Sequence, residues 1–232
     1  MLIALNLPAC YKMQLMHRKF DAVLFDLDGT LTDSLPGIAR SVQFALQSLG
    51  VKAPLEEELG WCVGPPLREN FRRLLGTSDS VSIERAVALY LERYEMVGFR
   101  ENRVYEGTAA MLATLGRRYR LLLVTTKLTE SAERVLGEFS MRTGFEGVFG
   151  TDRNGEPSDK SELARIAIAH HGLSASSTAI VGDRYQDIIA GKSNGLFAIG
   201  VSYGYGSRDE LAAAGADVIC DSAAAVAHVL CE

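Results

Sequence analysis

Two carboxylates two residues apart, Asp26 and Asp28, close the apolar run Ala22-Val23-Leu24-Phe25 and lead into Gly29-Thr30-Leu31. Residues i and i+2 of a strand share a face, so a strand that persists through Asp28 brings two like charges within about 7 Å of each other. Two arrangements relieve that repulsion: a bound divalent cation, or one carboxyl held protonated beside an ionised partner. Asp and Gly after a strand also make ordinary turns, but an apolar strand running straight into Asp-x-Asp-Gly-Thr is the more specific pattern. Such a pair suits phosphoryl transfer. One carboxylate attacks phosphorus, while its neighbour gives the leaving oxygen a proton and later takes one from water. The order along the chain assigns the first role to Asp26 and the second to Asp28.

That chemistry needs positive charge and hydrogen-bond donors around the transferring group. The other elements supply them. From Tyr105 onward, apolar runs at Leu121 to Val124, Gly147 to Phe149, Ala179 to Val181, Leu196 to Val201 and Ala216 to Ile219 alternate with helical patterns. The alternation predicts βαβ units and a doubly wound α/β core with a parallel sheet. Ligands of such sheets collect at the C-terminal ends of the strands. There the sequence places Thr125-Thr126-Lys127 after one strand, Gly182-Asp183-Arg184 with Asp187 after another, and Lys160 at the start of an intervening helix. Thr125 offers a hydroxyl and Lys160 an ammonium. Asp183 can complete an oxygen-rich Mg²⁺ site with Asp26.

Between residues 36 and 104 the texture is helical. Ile38, Val42, Ala45, Leu46 and Leu49 recur at helical spacing after the capping group Thr32-Asp33-Ser34; Pro66 to Leu75 predicts a second helix and the stretch from about Ser82 a third. The chain therefore divides into a core, 16–35 plus 105–232, and an inserted helical cap, 36–104. A lid of this kind excludes water and contacts the leaving group, which makes Gly64, Pro65 and Arg68 candidate substrate contacts alongside Thr126 and Lys127. Arg184 stands at the same edge without an assigned role.

Composition sets outer bounds. The 232 residues are 47% hydrophobic and 23% charged, as in an ordinary globule, and the net charge of -5 argues against nucleic acid or an anionic membrane as the main partner. No apolar run approaches the roughly 18 residues of a membrane span. Cys10, Cys62, Cys220 and Cys231 show neither metal-ligand nor disulfide-framework spacing, which predicts reduced thiols and a cytoplasmic protein. Residues 1 to about 15 read as a disordered extension, or as preceding a start at Met13 or Met16.

Taken together, Asp26-x-Asp28-Gly29-Thr30-Leu31, the strand ending in Val124-Thr125, Lys160, and Gly182-Asp183-x-x-x-Asp187 resemble the four motifs of the haloacid dehalogenase superfamily, in family order. Gly64-Pro65-Pro66-Leu67, Tyr105-Glu106-Gly107, Ser158-Asp159-Lys160 and Asn194-Gly195 with Tyr203-Gly204-Tyr205-Gly206 resemble its phosphoglycolate phosphatase-like branch. The resemblance implies a Rossmann-like core, a helical (C1-type) cap, Mg²⁺ and a phosphoaspartate intermediate. It also implies that the Asp28 backbone carbonyl ligates Mg²⁺ and that Asp187 orients the metal site. Dehalogenases and phosphonatases of this fold lack an acid at the position of Asp28, so the resemblance favours a phosphatase acting on a small phosphorylated metabolite, phosphoglycolate-like or a nucleoside monophosphate. Thr126 stands where many relatives carry Asn, and no Pro follows Lys160; both departures bear on the substrate. A phosphomutase is the enzymatic alternative and a receiver-like phospho-acceptor domain the signalling one. Monomer and homodimer both remain open.

Overall fold

Alternate residues of the central strands point to opposite faces of one sheet, and each face finds its own cover. The computed structural model describes residues 19–231; the expected N-terminal extension and the alternative starts at Met13 and Met16 lie outside them. Among the described residues, six strands form a wholly parallel sheet: β1 (Ala22–Phe25), β4 (Arg120–Leu128), β5 (Gly147–Thr151), β6 (Thr178–Gly182), β7 (Phe197–Val201) and β8 (Val218–Cys220), in the order β5-β4-β1-β6-β7-β8. β1 lies inside the sheet, pairing Phe25 with Leu123 on one side and Val181 on the other. Val23, Phe25, Leu123 and Val181 pack with α4 (Thr108–Leu115), α5 (Thr129–Glu138) and α9 (Ala223–Cys231). Ala22, Leu24, Val124 and Ile180 pack on the other face with α6 (Lys160–His171), α7 (Tyr185–Ser193) and α8 (Arg208–Ala213). Strands buried on both faces read as continuous apolar runs, which is why the sequence exposes them.

The helical insertion consists of α1 (Leu35–Ser48), α2 (Leu67–Leu75) and α3 (Ser80–Met96), with 3-10 segments at Glu56–Cys62 and Gly98–Glu101. It joins the core through a two-residue antiparallel ribbon, β2 (Thr32–Asp33) against β3 (Arg103–Val104). This ribbon is too short to give a periodic signal. α3 begins two residues before the expected Ser82, because Asp79 caps it by accepting a hydrogen bond from Ser82 N at 2.8 Å. β4 runs four residues beyond the expected Val124, with a register shift between Val124 and Leu128. Polar residues at a shifted strand end look like a loop in sequence. α6 closes at His171 with Gly172 in the left-handed region at φ 60°, as the His-His-Gly run suggests. Among the described residues no helix is long and apolar enough to cross a membrane.

One close approach fixes the root of the insertion. A Cβ on Gly37, in the first turn of α1, would lie 2.1 Å from the backbone oxygen of Gly98. Ser41 Oγ donates to Gly37 O at 2.7 Å and accepts from Arg93 Nη1 at 3.1 Å, so the neighbourhood is tied from three segments. Alanine is the better helix former by about 1 kcal/mol, but here overpacking against backbone wins. Gly37→Ala should destabilise the protein by about 1–3 kcal/mol net, read as a lower urea midpoint at unchanged slope.

Candidate active site

The sheet delivers acids to one edge and the chain then turns to separate them. Asp26 N still donates to Val181 O at 2.9 Å, continuing the ladder of β1, but β1 itself ends at Phe25. The amides of Thr30, Leu31 and Thr32 all donate to Leu27 O, folding the backbone into a tight turn. The expectation that Asp26 and Asp28 share one strand face is therefore corrected: the turn at Leu27 gives each acid its own surroundings. Gly29 has φ +88°, and a Cβ there would fall 2.2 Å from Asp183 Oδ2, so glycine is required on both counts.

Asp26 looks toward α6 and β6. Lys160 Nζ lies 2.8 Å from Asp26 Oδ1 and 2.5 Å from Asp187 Oδ1, with the lysine side chain only 5% exposed. Asp159 caps α6 through Ser161 N at 2.9 Å, which fixes where Lys160 leaves the helix. Asp183 follows β6 fully buried; its Oδ2 accepts from Tyr205 N at 2.8 Å. Asp187 Oδ2 accepts from Arg184 N at 2.9 Å. Asp26, Asp183 and Asp187 each present a carboxylate oxygen within 4.8 Å of the others. Three buried acids against the ammonium of Lys160 leave excess negative charge and hard oxygen donors, a set that fits a divalent cation such as Mg²⁺.

Electrostatics agree with that reading. Burial pushes the Asp26 carboxyl up from 3.8 to about 6, with Asp187 and Asp28 adding to the rise and Lys160 opposing it. Burial, then Asp187 and Asp26, drive Asp183 well above the usual carboxylate range. Burial alone would lower Lys160, but Asp187 and Asp26 outweigh it and hold the ammonium charged.

Asp28 looks the other way. Lys127 Nζ donates to Asp28 Oδ2 at 2.7 Å and sits 4.5 Å from the ring centroid of Tyr94, a residue of α3. Burial works against the charge on Lys127, while Asp28, Tyr94 and Tyr90 raise its pKa beyond the ordinary lysine value. Among the described residues, Asp28 Oδ1 is buried with no hydrogen-bond partner. Thr125, 2% exposed, lies within β4 directly after Val124, where the register shift begins, and its Oγ1 accepts from Lys127 N at 3.2 Å.

A cavity of about 400 Å³ opens above these groups, with Asp26, Asp28, Thr125 and Lys127 below and Gly64, Pro65 and Arg68 above. Thr126 lines it as well, its Oγ1 donating to Gly64 O at 2.9 Å. Arg68 is held by Glu84 through Nε at 2.6 Å and Nη2 at 2.9 Å. Arg184 points out of the acid cluster to Glu210 and to Val63 O.

Two tyrosines gained no role from sequence. Tyr205 OH donates to Asp33 Oδ1 at 2.6 Å and accepts from the amides of Ser34 and Leu35, both at 2.9 Å; Tyr203 OH donates to Thr30 O at 2.9 Å. They brace the opening motif from the loop after β7. Their signal was the Tyr-Gly-Tyr-Gly run at a strand end, where a Cβ on Gly204 would lie 2.2 Å from Gly29 O.

Residues 23–201 match the family model described as haloacid dehalogenase-like hydrolase. A 5'-nucleotidase of Pseudomonas aeruginosa is 38% identical over 213 residues, covering 91% of this chain and 96% of that protein. A phosphoglycolate phosphatase of Vibrio cholerae is 30% identical, over 90% and 96% respectively. The crystal structure of a predicted phosphatase from Clostridium acetobutylicum superposes with a TM-score of 0.86 at 33% identity, covering 90% of this chain and 97% of that one.

Asp26 carries a pH signature. Its folded pKa of about 6 lies above the ordinary 3.8. The proton it binds therefore stabilises the fold fully below that ordinary value, and this contribution is lost as pH rises through about 6, where the buried ionised carboxylate costs about 3 kcal/mol. With chelator present, Asp26→Asn should raise the melting temperature at pH 8 by roughly 2–8 °C and leave it nearly unchanged at pH 4. A variant that melts at or below wild type at pH 8 contradicts the assignment.

Proposed function

This chain belongs to the haloacid dehalogenase-like hydrolases, and on that premise we propose that it is a Mg²⁺-dependent phosphatase acting on a small phosphomonoester through a phosphoaspartate on Asp26. The observation that carries the reading is the contrast between the two opening acids. Asp26 lies against Lys160 and the buried carboxylates of Asp183 and Asp187; Asp28 lies against Lys127 at the cavity floor.

Asp26 is the nucleophile: its free oxygen forms a bond to phosphorus as the ester oxygen leaves. Asp28, oriented by Lys127, gives that leaving oxygen its proton. In the second half Asp28 takes a proton from water, whose oxygen attacks phosphorus, releasing orthophosphate and restoring Asp26. Thr125 Oγ1 and the ammonium of Lys160 donate to the phosphoryl oxygens, where negative charge accumulates. Asp26, Asp183 and Asp187, with the Asp28 backbone carbonyl, would hold Mg²⁺, which supplies charge neutralisation between the carboxylates and the phosphoryl oxygens when bound. Gly64, Pro65, Arg68 and Thr126 border the space left for the leaving group.

That space falls within the range of pockets that enclose drug-sized ligands. Its upper wall includes Val87, Tyr90 and Leu91. A nucleoside fills such a space with apolar contact, whereas glycolate leaves most of it empty, and the 38% identical relative named 5'-nucleotidase supports the same order. We therefore place nucleoside monophosphates ahead of phosphoglycolate. Cytoplasmic location is part of the same proposal.

Orthophosphate release from a panel of nucleoside monophosphates, sugar phosphates and phosphoglycolate, with Mg²⁺ and with chelator, tests the reading. Turnover should require the cation, and Asp26→Asn should lower kcat by about 10³-fold or more at unchanged far-ultraviolet circular dichroism. Wild-type turnover by Asp26→Asn refutes the nucleophile. Phosphate moved rather than released marks a mutase, and a stable phosphoprotein without steady release marks a phospho-acceptor switch.

A further inference from the structure

The turn Val63-Gly64-Pro65-Pro66 lines the cavity through Gly64, Pro65 and Pro66, and its backbone has few ways to hold itself. Both prolines lack an N–H, and the N–H of Val63 is already spent on Gly60 O at 3.2 Å. Pro66 O is taken by the amides of Glu69 and Asn70 at 3.0 and 3.1 Å, and the carbonyls of Val63 and Gly64 need donors from elsewhere. The core supplies two. Arg184 Nη1 donates to Val63 O at 2.8 Å, and Thr126 Oγ1 donates to Gly64 O at 2.9 Å.

The positions of those donors matter more than their number. Thr126 follows Thr125, and Arg184 follows Asp183. Arg184 is fixed from the core side at two points: its amide donates to Asp187 Oδ2 and its Nε pairs with Glu210 Oε1 at 2.9 Å, an oxygen that itself accepts from Tyr185 N at 2.9 Å. Its Nη1 alone reaches across to the cap turn among the bonds of this side chain. Gly64 has φ +103°, and a Cβ there would lie 3.4 Å from Arg184 Cγ and Nη1, so backbone meets guanidinium with no side chain between them.

We propose that Arg184 and Thr126 are positioning residues that latch the Val63-Gly64-Pro65-Pro66 turn shut over the cavity, and that Arg184 ties this closure to the loop carrying Asp183 and Asp187. Opening the cavity breaks both bonds together. Another contact across the cavity, Arg68 Nη2 to Arg153 O at 3.2 Å, is exposed and shares its guanidinium with Glu84, so it exchanges with water at little cost. Contacts such as Arg134 Nη1 to Glu95 O at 2.6 Å and Arg100 Nε to Glu138 Oε2 at 3.3 Å come from cap residues within ten positions of β3 and can survive a hinge movement there. The simple alternative is that Arg184 only pairs with Glu210 to brace the core.

Trp61 separates the two. It is the sole tryptophan of the chain, lies two residues before Val63, and is half-buried with the Arg73 guanidinium 4.0 Å from its ring centroid. Acrylamide quenching of Trp61 reports the seating of this turn without substrate or turnover. Arg184→Met should raise the quenching constant roughly twofold at unchanged circular dichroism, as the open population grows. The kinetic arm rests on the phosphatase reading: KM for a nucleoside monophosphate should rise about tenfold in Arg184→Met, with kcat changed less than about threefold. Thr126→Val, nearly equal in volume, should shift both readouts the same way by a smaller factor, and it carries the test should Arg184→Met fail to fold. Unchanged Trp61 quenching in a folded Arg184→Met or Thr126→Val protein overturns the latch. Absence of phosphate release from wild type, with quenching still altered in the variants, overturns the phosphatase reading and leaves the latch standing.

Discussion

The contact on which the site depends is the ammonium of Lys160 lying between Asp26 and Asp187. A buried cation or a buried carboxylate alone is costly, and Lys160 keeps a carboxylate partner even where one of its two acids is neutral. Here the accounts do not balance even with the pair intact: Asp183 joins the same cluster fully buried. Asp26 and Asp183 respond by holding their protons more tightly than free carboxyls. That unmet charge is what makes the cluster receptive to a divalent cation. The sheet tolerates it because β1 and β6 are held by apolar packing on both faces and α6 by packing on one of them.

Two aspartates of the same type, two residues apart, are made different by their neighbours. Asp26 faces acids and Lys160; Asp28 faces Lys127 and the cap. Environments that divide identical side chains in this way are how one site runs nucleophilic and proton-transfer steps at the same pH. The device that divides them is the turn at Leu27, whose carbonyl accepts from three successive amides, with Gly29 left no room for a side chain by Asp183.

Much of this was legible in the sequence, for physical reasons. Strands buried on both faces must be apolar throughout, so the parallel sheet announced itself, and the acids, hydroxyl and lysine stood out because they interrupt apolar runs at strand ends. Asp26, Thr125, Lys160, Asp183 and Asp187 accordingly appear at one edge. What sequence did not reveal depends on distance in the chain. The bond from Lys127 to Asp28 spans 99 residues and that from Arg184 to Val63 spans 121; a lysine or arginine beside an active edge looks the same whether solvated or committed. Tyr205 was hidden for the same reason, since its hydroxyl reaches back 172 positions to Asp33. The register shift in β4 was hidden for another, because Thr125-Thr126-Lys127 carries none of the apolar pattern that marks a strand.

The cap and the chemistry are not separable parts. Lys127, the cation that orients Asp28, is enclosed on its other side by the ring of Tyr94 from α3, and its side chain is 8% exposed. A lysine in that position owes its desolvation to the cap, and desolvation strengthens its attraction to Asp28 as the local dielectric falls. Were α3 to swing away, water would reach Nζ, the ion pair would weaken, and Asp28 would lose the constraint that aims it at the cavity. The same closure seats Gly64 on Thr126, the residue after the Thr125 hydroxyl. Closing the insertion therefore does more than exclude solvent: it completes the surroundings of Asp28, so under the proposed mechanism a substrate that fits the cavity also assembles the acid that would act on it.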